Sequence, residues 1–235
     1  MQGSAYDSGS VLAALILAVA LAALNKAFFR SEGESLATIG FDNPWRRLGQ
    51  FGAAFLAGCG VVALWTIALL ATLHPRWRLN DGFNGPGALA RIAFCLFNNA
   101  GEELAYRAYL LKQLAQRFGA TTAVLATSAL FALLHVQAGV PWLSAATVVF
   151  TSGVLFAVLL LRWKSLPLVI GFHVATNVAQ ECIGLRVTGL SFVRPAFDSS
   201  LSPLRQTSAL VAVAVINVAI ATTLVRTLRA PRETT

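Results

Sequence analysis

Apolar residues fall into seven long runs, at roughly 11–29, 51–73, 88–114, 120–136, 142–162, 166–183 and 208–228. A helix needs about 20 mostly apolar residues to cross the hydrocarbon of a bilayer. The pattern therefore predicts a polytopic all-α membrane bundle of about seven transmembrane helices. The fourth run is short. The first is interrupted by Asn25 and Lys26, and Lys26 can snorkel to the interface. Between the runs stand turn-forming stretches such as "HPRWRLNDGFNGPG" and "KSLP". No internal repeat or low-complexity tract interrupts the series, so residues 1–235 read as a single membrane domain.

Composition strengthens this reading. Of 235 residues, 57% are hydrophobic and 12% charged, against about a quarter charged in a soluble domain. Mean hydropathy is +0.69. The net charge of +8 does not point to nucleic acid, because the basic residues lie between apolar runs and form no stripe. Their placement instead sets topology by the positive-inside rule. With the N-terminus outside, the inner segments hold Lys26, Arg30, Arg46, Arg47, Arg107, Lys112, Arg117, Arg162, Lys164, Arg226, Arg229 and Arg232, twelve of the eighteen basic residues. The C-terminus is then inside, and a bacterial inner membrane is the expected location. No basic segment precedes the run at Val11–Leu24, so it reads as a retained span rather than a cleaved signal peptide. Cys59, Cys95 and Cys182 are dispersed, which excludes a disulfide framework and a thiolate metal site.

A few polar groups break the apolar pattern, and they carry the candidate chemistry. Glu102 and Glu103 lie deep in the third run. A central charge costs about 3 kcal/mol on insertion scales, so such groups face the bundle interior and usually have a task. Glu103 and Arg107 are four apart and share a helix face, which suits an ion pair. Glu102 lies about 100° around the helix, with Asn98 and Tyr106 on its face and no cation. That leaves Glu102 free to move a proton, while Glu103 and Arg107 brace the site. Helix-packing glue is the competing reading for all three.

Phe131 and His135 in "FALLH" share a second helix face, so the ring can wall the imidazole. His173 and Asn177 in "HVATN" share a third, and both can direct N–H donors at one point, as an oxyanion site requires. Each pair alone is weak, since an interfacial His or a helix-bridging Asn is common. At 1.5 Å per residue, Glu102, His135, His173 and Asn177 lie roughly 18, 22, 10 and 16 Å above the inner ends of their spans, within one middle slab.

The three motifs EExxxR, FxxxH and HxxxN occur here in that order. Together they resemble the CPBP family of intramembrane endopeptidases, which includes the CAAX proteases that trim prenylated proteins. The resemblance covers roughly residues 88–183. It implies an intramembrane, water-accessible cavity and a glutamate-type peptidase. Glu102 would activate a water with help from His135, and His173 and Asn177 would stabilise the oxyanion. Glu103, Arg107 and Phe131 would support them. The substrate would be a membrane-associated or lipidated protein or peptide: a CAAX-like tail, a C-terminal sorting signal or a leader peptide.

One Glu and two His could instead form a His₂Glu zinc site. HExxH is absent and the four groups suffice without metal, so no cofactor is expected. Two other classes compete. A non-catalytic scaffold or bacteriocin self-immunity protein would tolerate Glu102→Gln. A proton-coupled transporter would show inverted repeats and Gly/Pro-broken helices, and neither is seen. The segment 186–205, rich in Gly, Pro and Ser, reads as a connector or as a lid over the site.

Overall fold

The computed structural model describes residues 8–186, 188, 190–197 and 202–229. The helices are α1 (Ser8–Ser31), α2 (Pro44–Leu73), α3 (Gly85–Glu103), α4 (Tyr109–Phe118), α5 (Ala120–Gln137), α6 (Trp142–Ser144), α7 (Phe150–Trp163), α8 (Leu166–Cys182) and α9 (Pro203–Arg229). A π-helical turn, Leu104–Ala108, joins α3 to α4, and another, Ala145–Val149, joins α6 to α7. The result is seven long helical rods, an all-α bundle. Five of the helices are long and apolar enough to cross a membrane, and the chain is an integral membrane protein. The other two rods, α3–α4 and α8, carry Glu102, Glu103, Arg107, His173 and Asn177.

Local sequence explains where the rods begin and end. Asn43 caps α2, its side chain accepting from the Arg46 N–H, with Pro44 at the first helical position. Ser165 caps α8 in the same way, ahead of Pro167. Helices α2 and α8 pack most closely. A Cβ on Gly171 would lie 2.5 Å from the Phe51 carbonyl oxygen, and one on Gly58 2.7 Å from that of Phe172. Only glycine permits this approach, the small-residue packing typical of membrane helices.

The π turn at Leu104–Ala108 leaves backbone groups without their usual partners. Asn25 on α1 satisfies them. Its Nδ2 donates to the Leu104 carbonyl at 3.1 Å, and its Oδ1 accepts from the Tyr109 N–H at 3.0 Å. The polar residue that interrupts the first apolar run thus fastens the turn directly after the two glutamates.

Loops gather at two poles. At one, Lys112 bridges Glu32 and Glu34, and the Lys112 and Tyr109 hydrogen bonds hold the Glu32 carboxyl below its usual range. Gly40 packs against Ser165 at the same pole. At the other, β1 (Arg76–Leu79) and β2 (Val193–Ala196) form an antiparallel ribbon, with Arg76 opposite Ala196. The ribbon is absent from the sequence expectation. It ties down the middle of the segment read as connector or lid, and Asn80 adds a side-chain bond to the Ser191 carbonyl at 2.7 Å. Positions 187, 189 and 198–201 of that segment, and Arg232, lie outside the described residues.

Candidate active site

Three helical rods bring Glu102, Phe131, His135, His173 and Asn177 to one cavity of about 360 Å³, with Glu103 and Arg107 outside its lining. Glu102, with Asn98 and Asn99, comes from α3. Phe131 and His135 come from α5, and His173, Thr176 and Asn177 from α8. The lining continues to Ala138, Gln180 and Arg186, residues at or near the ribbon pole. No lining residue comes from the α4–α5 or α7–α8 connections, so the cavity runs from the middle of the bundle toward the ribbon.

Glu102 accepts from Asn98 Nδ2 at 2.8 Å. Its other oxygen lies 3.6 Å from His173 Nε2, beyond ordinary hydrogen-bond reach. The carboxylate is thus oriented on one side and open on the other. Glu103 and Arg107 are fully buried and approach to 3.4 Å, as their spacing predicts. The tighter partner of Glu103 is His173, whose Nδ1 lies 2.8 Å away. Sequence spacing finds the first contact and misses the second, because the second crosses helices. Since a carboxylate only accepts, His173 donates through Nδ1–H and turns Nε2 toward Glu102. Phe156 covers the ring, with centroids 4.4 Å apart.

Arg107 is surrounded by rings, with its guanidinium carbon 4.3 Å from the Phe131 centroid. That places a cation over an aromatic face and gives Phe131 two duties. Its ring also stands 4.4 Å from that of His135, and its carbonyl accepts from His135 Nδ1 at 2.8 Å. The second nitrogen of His135 then carries a lone pair. His135 is within electrostatic reach of both Glu102 and His173.

Asn177 donates to Asn99 Oδ1 at 3.0 Å. Sequence analysis passes over Asn99, although "NNAGEE" sets two amides one turn ahead of the glutamates. It also misses the buried pair of Arg91 and Glu181 on the ribbon side, joined through Arg91 Nε at 2.6 Å and again through Nη2. Glu181 reads from sequence as a span-end residue, yet it is fully buried. Thr188 Oγ1 donates to it at 3.1 Å. Among the described residues, no three His, Cys, Asp or Glu side chains converge as metal ligands would.

Fold and cavity together define a helical membrane protein with a carboxylate, two imidazoles and several amides facing one pocket. Residues 84–179 match the family model described as type II CAAX prenyl endopeptidase Rce1-like. That description agrees with the family that the three motifs resemble, and the matched segment contains every residue of the cavity discussed above except Arg186 and Gln180. No curated protein and no solved structure matches the chain.

Proposed function

We propose that the protein is an intramembrane endopeptidase of the glutamate type, with its catalytic core at about 88–183 in a single domain. The supporting observation is the convergence of Glu102, His135, His173 and Asn177 from three rods on one cavity.

The chemistry follows from the donors and acceptors on its walls. A water held between the free oxygen of Glu102 and the lone pair of His135 gives a proton to Glu102. Its oxygen attacks the scissile carbonyl carbon, and the C=O electron pair moves to the carbonyl oxygen. Asn177 and the protonated His173, the latter through Nε2–H, stabilise that oxyanion. The intermediate collapses, the C–N bond breaks, and the proton on Glu102 passes to the leaving amine. One water is consumed, and no metal or other cofactor takes part. Glu103 fixes the His173 ring as the buried carboxylate fixes the histidine of a catalytic triad. Arg107 offsets the charge of Glu103.

The substrate is a membrane-associated or lipidated protein or peptide. With the N-terminus outside a bacterial inner membrane, the ribbon pole faces out and the cavity opens to that side. This favours an exported substrate, with a C-terminal sorting signal or a leader peptide, over a CAAX-like tail presented from the cytosol. The test uses the purified chain in proteoliposomes with two peptides, one ending in a prenylated Cys-aliphatic-aliphatic-X tail and one carrying a C-terminal apolar helix. Mass spectrometry should find a new amine and carboxylate from one of them. Two intact peptides would return the protein to the scaffold reading.

A further inference from the structure

Asn99 is 1% exposed and lines the cavity. Its Oδ1 is occupied by the N–H of Asn177 at 3.0 Å. Its Nδ2, with two hydrogens to donate, has no hydrogen-bond partner among the described residues. A buried amide donor left unpaired is costly, so its retention calls for a reason. Other buried polar atoms nearby are also unpartnered, including Glu103 Oε2, Arg107 Nε and Nη2, and Ser128 Oγ. Glu103, Arg107 and Ser128 lie behind the wall, whereas Asn99 is part of it.

We infer that Asn99 is a third oxyanion donor for the proposed peptidase reaction, acting through Nδ2–H on the oxygen that takes up the carbonyl electron pair. The inference rests on the peptidase reading. The hydrogen bond to Asn99 already uses one of Asn177's two N–H groups, which leaves that side chain a single N–H for the oxyanion. Asn99 supplies what the Asn177 amide alone cannot. It also sits three residues before Glu102 on α3, on the same helix face, so base and donor flank one reacting carbonyl. The amide pair links α3 to α8 and fixes the two donor groups relative to each other, the preorganisation that makes such donors effective.

The test compares Asn99→Ala, which removes both halves of the amide, with Asn99→Asp, which keeps an oxygen for Asn177 and removes the donor. The readout is kcat and KM in proteoliposomes on a fluorescence-quenched form of whichever of the two peptides, prenylated-tail or apolar-helix, the wild type cleaves, with thermal melting to confirm that each variant is folded. Both variants should lose roughly 10²–10³-fold in kcat with KM changed less than about threefold. If Asn99→Asp works like the wild type while Asn99→Ala fails, Asn99 only positions Asn177 and the donor role is overturned. If Asn99→Ala keeps its kcat, the role is overturned outright. Glu102→Gln serves as the control. Should Glu102→Gln stay active, or the wild type leave both peptides intact, the peptidase reading falls and Asn99's role with it. An inactive Glu102→Gln beside a fully active Asn99→Ala would sink this inference alone.

Discussion

Two buried polar networks lie side by side in this bundle, and they differ in how completely they are closed. Around Asn217 on α9 the bonding is full. Its Oδ1 accepts from Trp65 Nε1 at 3.0 Å, and its Nδ2 donates to Thr151 and Ser152, each at 3.1 Å. Around Glu103 and Asn99 it is partial, with unpartnered oxygen and nitrogen atoms among fully or almost fully buried side chains. The first arrangement joins α2, α7 and α9 and asks nothing further of its surroundings. The second keeps a donor, Asn99 Nδ2, at a cavity wall, with further unpartnered atoms behind it. Buried polar groups that only hold helices together satisfy one another. On the proposed function, the network at the cavity keeps bonding capacity in reserve for a substrate, and the fold carries the cost.

The comparison can be broken at either network. Among the residues that only brace the helices or the site, the largest effect should come from Glu103→Gln, which weakens the hold on His173 while keeping the shape of the side chain. Peptidase activity per folded molecule should fall on the order of 10²-fold, and the melting temperature should drop because Arg107 loses its buried counter-charge. Activity near wild type would make Glu103 simple glue for Arg107. Next comes Asn25→Leu, which frees the Leu104 carbonyl and the Tyr109 N–H at the π turn. It should cost about 2 kcal/mol of stability and also reduce activity, since Glu103 precedes that turn and Arg107 lies within it. A stability loss with unchanged kcat would show that the turn and the site are uncoupled. The smallest effect is expected of Asn217→Leu, about 1–2 kcal/mol from the stranded Trp65 N–H. Its kcat per folded molecule should match the wild type. A kcat loss there would erase the distinction between the two networks.

Much of this was legible in the sequence because membrane helices make polar exceptions conspicuous. The seven apolar runs map onto seven rods, and the faces drawn from spacings of four bring Phe131 to His135 and Glu103 to Arg107. What escaped lies between helices. No spacing in the chain shows that Glu103 holds His173, that Asn99 meets Asn177, or that Arg91 pairs with Glu181, since each contact depends on how α3 and α8 pack. The π turn also escaped, because Asn25 reads as a flaw in one apolar run until the backbone groups it satisfies on another rod are seen. The ribbon was hidden for a similar reason. Its strands are four residues long and more than a hundred positions apart, too short to show an alternation.

The central claim is that Glu102 is the base and Glu103 its support. The most direct measurement is single-turnover cleavage of a prenylated-tail or apolar-helix peptide by Glu102→Gln in proteoliposomes, beside the folded wild type. The account predicts a loss of at least 10²–10⁴-fold with an unchanged melting temperature and unchanged peptide binding. Cleavage by Glu102→Gln at close to the wild-type rate would contradict it.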